Sequence, residues 1–124
     1  MSHSSVLITG SSGTVGTALA ASLLEKGYDV TGVDSMPNKW LDAVDERTIE
    51  LDLTDQDALD ELPETIDLVI HLAANARVHK LVQNPELAQE NFDTTFNILE
   101  YATDIGADLV FSSSREVYGN NEQV

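Results

Sequence analysis

The positions best suited to chemistry near the start of this chain are three glycines. They fall at 10, 13 and 16 in Thr9-Gly10-Ser11-Ser12-Gly13-Thr14-Val15-Gly16, after the apolar run Val6-Leu7-Ile8 and ahead of an amphipathic stretch. Between a strand and a helix, each glycine has a different use. Gly10 permits a tight turn, Gly13 lets the backbone approach a pyrophosphate with no Cβ in the way, and Gly16 lets the helix pack closely on a sheet. Thr14 and Val15 open that helix, whose free N–H groups and partial positive charge face the phosphates. Asp34 ends the next apolar run. A carboxylate there accepts hydrogen bonds from the two hydroxyls of an adenosine ribose and repels a 2′-phosphate. No arginine follows in Ser35-Met36-Pro37-Asn38, and Lys39 lies in a loop, so the pattern favours NAD over NADP. The alternative for Asp34 is a loop acid in a chain full of acids.

The elements that must hold these residues follow from the alternation of short apolar runs with longer amphipathic stretches. Val6-Leu7-Ile8 reads as a first strand, and Val15 to Lys26 as a helix stopped by Gly27. Asp29 to Val33 is a second strand. Pro37 to Asp45 is a loop with room for a short helix, and Thr48 to Leu51 is a third strand. Asp55 to Leu62 reads as a short helix capped by Thr54. Asp67 to His71 is a fourth strand, Pro85 to Ile105 a long helix ending at Gly106, and Leu109-Val110-Phe111 a fifth strand. Five β units alternating with helices predict an α/β fold: a doubly wound parallel sheet, the Rossmann fold, with strand order 3-2-1-4-5. The nearly continuous apolar character of the strands fits a sheet covered on both faces. No linker divides residues 1–124, which read as one dinucleotide-binding domain.

Composition narrows the partners. Asp and Glu number 22 against 6 Lys and Arg, a net charge of −16 on 124 residues. Such a field repels nucleic acid and anionic membranes, and it repels dinucleotides too unless salt screens it. At about 1 M salt the Debye length falls to roughly 3 Å. The acids are spread along the chain, which predicts an acidic surface throughout and a halophilic host; the alternative is an acidic mesophilic protein. No apolar run is long enough to span a bilayer. Met1 to Ser5 shows no signal peptide, cysteine is absent, and His3, His71 and His79 are too scattered for zinc. A cytoplasmic protein is the expectation.

With those residues in view, the chain resembles the extended short-chain dehydrogenase/reductases, the family of the NAD-dependent nucleotide-sugar epimerases and dehydratases. The G-x-x-G-x-x-G spacing is theirs, and four further segments agree. Asp52-Leu53 resembles the D-[LIV] pair whose carboxylate reaches the adenine. His71-Leu72-Ala73-Ala74 resembles the H-x-A-A whose backbone lines the cofactor, with His71 assigned to the strand end and its hydrogen bonds. Asn91 to Leu99 resembles the N-x-x-[GT]-T-x-N-[LIV]-L helix segment. Phe111 to Gly119 resembles F-x-S-S-x-x-V-Y-G. The resemblance implies transient hydride transfer on a nucleotide sugar, with NAD as cofactor and a homodimer in the full-length form. It implies cofactor contacts at Asp52, Leu53, Leu72, Ala73, Ala74, Asn91 and Ser112, and makes Ser114 the serine that holds the reacting hydroxyl. Glu116 matches one acid of the dehydratases, but Arg115 stands where they carry an Asp, which favours epimerisation; Glu116 is a surface acid first and a catalytic candidate second. Arg77, His79 and Lys80 form a basic cluster that could face an anionic substrate, or a solvated loop. Trp40 covers the adenine side or packs under its own loop.

The family's Tyr-x-x-x-Lys is not found: Tyr28, Tyr101 and Tyr118 are followed four positions later by Gly32, Ile105 and Glu122. The chain therefore reads as the cofactor half of a longer enzyme, an epimerase or dehydratase or else a simple sugar dehydrogenase of the same family, or as a module that binds NAD without redox chemistry. The apolar edge at the fifth strand favours a fragment or a chain covered by a partner.

Overall fold

The computed structural model of the chain describes residues 4–73 and 86–111. In chain order it contains β1 (Ser5–Thr9), α1 (Thr14–Glu25), β2 (Asp29–Asp34), α2 (Asp42–Asp45), β3 (Thr48–Glu50), a 3-10 helix (Gln56–Glu61), β4 (Leu68–His71), α3 (Glu86–Ile105) and β5 (Asp108–Phe111). The five strands form one sheet in the order β3-β2-β1-β4-β5, every pairing parallel. The doubly wound sheet and its order are those the alternation of elements predicted.

Side chains of a strand point alternately to the two faces, and β1 shows the result. Val6 and Ile8 join Val30, Ala20 and Val44 under α1 and α2. Leu7 joins Val33, Val69, Leu53, Ile98 and Tyr101 under α3 and the 3-10 helix. Each fully buried Leu, Ile or Val contributes about 1.5–3 kcal/mol of apolar burial. Two cores on opposite faces of one sheet explain why the central strand is apolar at every inner position.

Both long helices stop where the sequence places glycine. Gly27 (φ 86°) and Gly106 (φ 72°) take the left-handed conformation. Gly27 N–H donates to Leu24 O and Tyr28 N–H to Leu23 O, a pair repeated by Gly106 with Thr103 and Ala107 with Ala102. The short helix after β3 departs from the expected one. It is of the 3-10 type, and its cap is Asp55, whose carboxylate accepts from Asp57 N at 3.0 Å. Thr54 is not the cap because its hydroxyl donates to Asp52 Oδ1 at 2.6 Å. Trp40 is 65% exposed, so it does not pack under its loop.

At the N-terminal end of the central pair, Asp67 Oδ2 accepts from the N–H groups of Ser4 and Ser5 and from both serine hydroxyls. The Ser5 backbone and then its hydroxyl hold the Asp67 carboxyl below the usual carboxylate range. No described helix is long and apolar enough to cross a membrane.

Candidate functional site

The glycine loop is built at the C-terminal end of β1. Gly10 turns with φ 75° and its N–H donates to Val33 O at 2.8 Å, which anchors the loop to β2. A Cβ at Gly10 would stand 2.9 Å from Ala73 N, and one at Gly16 only 2.1 Å from Gly10 O. Both glycines are therefore demanded by the protein's own packing. Gly13 differs. It is the N-cap of α1 in extended backbone (φ −79°, ψ 173°), and a Cβ there would meet nothing closer than Gly10 O at 3.4 Å. The protein tolerates a side chain at this position, and the space it would fill opens on the cleft. A group that approaches the backbone closely, as a pyrophosphate does, fits that cradle. Thr14 and Val15 follow at the start of α1, whose first turn has no side-chain cap.

The cleft runs along the C-terminal ends of β1, β2, β3 and β4 and has a volume of about 280 Å³. It brings together most of the residues expected to touch a cofactor: Gly10, Gly13 and Asp34 from the first half, Asp52 and Leu53 after β3, Leu72 and Ala73 after β4, and Asn91 from α3. Gly16 stands behind it as a packing residue. Ala74, Ser112, Ser114 and Glu116 lie outside the described residues, as do Arg77, His79 and Lys80.

Asp34 is held by the backbone. Its Oδ2 accepts from Ser12 N and its Oδ1 from Met36 N, each at 3.0 Å. One N–H bond per oxygen leaves acceptor capacity on both for ribose hydroxyls. Asp52 Oδ1 accepts from Thr54 N and Oγ1, and the Thr54 hydroxyl and then its N–H hold the Asp52 carboxyl below its ordinary value. Asn97 Nδ2 donates to Leu53 O at 2.8 Å and so fixes this wall to α3.

Several residues that organise the site were not singled out from the sequence. Asn38 is buried; its Nδ2 donates to Ser11 O and Thr17 Oγ1, and its Oδ1 accepts from Trp40 N and Leu41 N. It ties the loop after β2 to the glycine loop. The signal was present in Pro37-Asn38, since asparagine beside proline is a turn former that bonds its own backbone. Gly32 leaves room for the Ser11 side chain, because a Cβ there would lie 2.4 Å from Ser11 Oγ. Ser35, Leu51, Thr54, Glu90 and Thr94 complete the lining.

His71 does what a strand-end histidine was expected to do. It is 2% exposed, its Nδ1 lies 2.6 Å from Thr9 Oγ1, and its Nε2 lies 3.2 Å from Thr95 Oγ1. Burial pushes its pKa down to about 4, so the ring is neutral near pH 7.

A profile of the NAD dependent epimerase/dehydratase family matches residues 6–124. The chain is 38% identical to a UDP-glucose 4-epimerase of Schizosaccharomyces pombe over 93% of its own length and 36% of the relative's. It is 36% identical to a UDP-N-acetyl-alpha-D-glucosaminuronate decarboxylase of Bacillus cytotoxicus, over 91% of this chain and 37% of that one. The crystal structure of UDP-glucose 4-epimerase from Bifidobacterium longum in complex with NAD+ and UDP superposes with a TM-score of 0.83 at 30% identity, covering 97% of this chain and 40% of the other. The chain thus spans well under half the length of these relatives. A glycine loop, a strand-end acid and a five-stranded sheet in one order agree with a match along nearly the whole sequence: the chain belongs to the NAD dependent epimerase/dehydratase family.

Proposed function

We propose that this chain supplies the NAD-binding part of an enzyme that remodels a nucleotide sugar by transient hydride transfer. The observation that carries the reading is Gly13: a position where the protein has room for a side chain, carries none, and lines a cleft beside the Asp34 carboxylate, which is held by Ser12 N. NAD, when bound, supplies the hydride acceptor. The residues of the chain bind and orient it. Gly13, Thr14 and Val15 receive the pyrophosphate, Asp34 the adenosine ribose, and Asp52 and Leu53 the adenine side; Leu72, Ala73 and Asn91 line the cleft beside the cofactor, and the resemblance adds Ala74 and Ser112 as cofactor contacts. Ser114 holds the reacting hydroxyl of the sugar. Arg115 in place of an acid beside Glu116 favours epimerisation over loss of water.

The same reading includes a nucleotide sugar as substrate, supported by the UDP-sugar enzymes that the chain resembles, and a cytoplasmic setting; the net charge of −16 supports a high-salt host and the absence of a nucleic acid or membrane partner. A homodimer belongs to it as well, supported by Phe92, Phe96 and Leu99 exposed along one side of α3.

Calorimetric titration with NAD and NADP tests the core of it. NAD binds and NADP does not. Asp34→Ala weakens NAD by roughly ten- to a hundredfold, the worth of a charge-assisted hydrogen bond, and narrows the gap to NADP. Equal affinity for both cofactors in the unsubstituted chain, or an Asp34→Ala titration like that of the unsubstituted chain, would overturn the assignment.

A further inference from the structure

Three elements, β1, β5 and α3, converge on one imidazole at the end of β4. His71 ends β4, and across the parallel ladder it faces Thr9 on β1 and Phe111 on β5. Its ring stacks on that of Phe111 with centroids 5.8 Å apart, and its Nε2 reaches Thr95 on α3. The contact with Thr9 is the informative one. Thr9 Oγ1 accepts from Leu72 N and from Ala73 N, each at 3.0 Å. A hydroxyl has two acceptor sites and one proton. With both acceptor sites engaged, the Thr9 proton points to the third neighbour, His71 Nδ1 at 2.6 Å. Nδ1 is then the acceptor, the proton of the neutral ring resides on Nε2, and Nε2–H donates to Thr95 Oγ1.

We propose that His71 is a positioning residue of the cofactor site. As a single Nε2–H tautomer, it orients the Thr9 hydroxyl so that both its acceptor sites clamp the Leu72–Ala73 backbone, and it ties that clamp to α3 through Thr95. The clamped segment is the one that lines the cleft and packs against Gly10, where an added Cβ would stand 2.9 Å from Ala73 N. A Thr9 hydroxyl turned the other way would donate its proton toward the strand-end amides and repel them. This assignment rests on the NAD-binding reading for its functional consequence, but the tautomer and the clamp are properties of the protein without cofactor.

The test has two parts. In a long-range proton–nitrogen NMR spectrum of the imidazole-labelled chain at pH 7, with the His71 signal identified by its loss in His71→Asn, the ring is neutral and protonated at Nε2 alone. A ring protonated at Nδ1, or averaging between tautomers, sinks the proposal. Second, Thr9→Val removes the hydroxyl without changing the shape, and Thr9→Ser restores it. Amide exchange at Ala73 rises about tenfold or more in Thr9→Val and returns in Thr9→Ser, the size of one lost hydrogen bond, while Leu72 N–H keeps its second acceptor, the Thr9 carbonyl at 3.2 Å; NAD affinity follows the same pattern. His71→Asn, which keeps an acceptor near the Nδ1 position, retains more of the protection than His71→Leu. Unchanged exchange in Thr9→Val overturns the clamp. If the unsubstituted chain takes up no NAD, the cofactor reading fails, while the tautomer and the exchange rates still decide the role of His71 and Thr9.

Discussion

Gly13 and Gly16 lie in one loop and differ in what forbids a side chain. At Gly16 the obstacle is Gly10 O, 2.1 Å from an added Cβ. Gly16→Ala therefore destabilises the fold by about 3 kcal/mol or more, since backbone and not a flexible side chain must move. At Gly13 the protein offers no such obstacle. Gly13→Val costs about 1 kcal/mol, the loss of a favourable N-cap, yet abolishes NAD binding. Urea unfolding paired with NAD titration separates the two; a Gly13→Val chain that binds NAD would show the loop to have been misread. The histidine at the end of β4 gives a pH-dependent prediction. Its folded pKa, about 4, lies below the ordinary value of 6.5. The unfolded chain thus takes up this proton first, and stability falls as pH drops from about 6.5 to about 4, by about 3 kcal/mol in all. The same measurement on His71→Asn lacks that component, so a difference between the two chains that does not vary over this window would contradict it. These residues were legible to different degrees. The glycine spacing and Asp34 declare themselves because a turn, a close approach and a strand-end charge each demand one residue type. Gly32 and Thr9 do not, because their use depends on neighbours brought from elsewhere in the chain, and Asn38 declares only its local turn and not its bonds to Ser11 and Thr17.

The helices show how far local pattern carries. Apolar periodicity with a terminal glycine located α1 and α3 to within a residue or two, since period and stop signal agree. The segment after β3 was harder, for two acids and a threonine compete within four positions to cap it, and only the folded geometry shows Thr54 donating to Asp52 while Asp55 caps. Along α3, adjacent residues have opposite fates: Ile98 is fully buried in the sheet-facing core and Leu99 is 50% exposed. Ile98→Ala is expected to cost about 2–5 kcal/mol and Leu99→Ala less than about 1 kcal/mol. Urea midpoints for the two variants check this, and equal losses would mean that the outer stripe of α3 is covered in solution. Sequence periodicity alone left that stripe ambiguous, because Phe92, Phe96 and Leu99 are as apolar as the face that is buried.

For the molecule as a whole, the sheet and its strand order were legible because five apolar runs separated by helices leave few topologies open. The charge was legible as a number and not as a place. Asp34, Asp52 and Glu90 all line the cleft, so the site proposed for a dianionic pyrophosphate is itself rich in carboxylates. Raising KCl should therefore increase both stability and NAD affinity, as screening relieves repulsion within the protein and between protein and cofactor. Indifference of both to salt would count against a high-salt setting. One feature of the sheet also bears on how the chain reaches this state. The central strand β1 pairs with β2, close in sequence, and with β4, whose Leu68 lies opposite Val6. The second pairing closes a loop through α1, β2, α2 and β3, and non-local parallel pairings are slow to form. The Leu72–Ala73 wall, the Thr9 clamp and the contact with Gly10 all depend on that closure. In a refolding experiment, competence to capture the cofactor would arrive with the docking of β4 and not with the local β1–α1–β2 unit that carries the glycine loop, making the nucleotide a clock for the longest-range step of assembly.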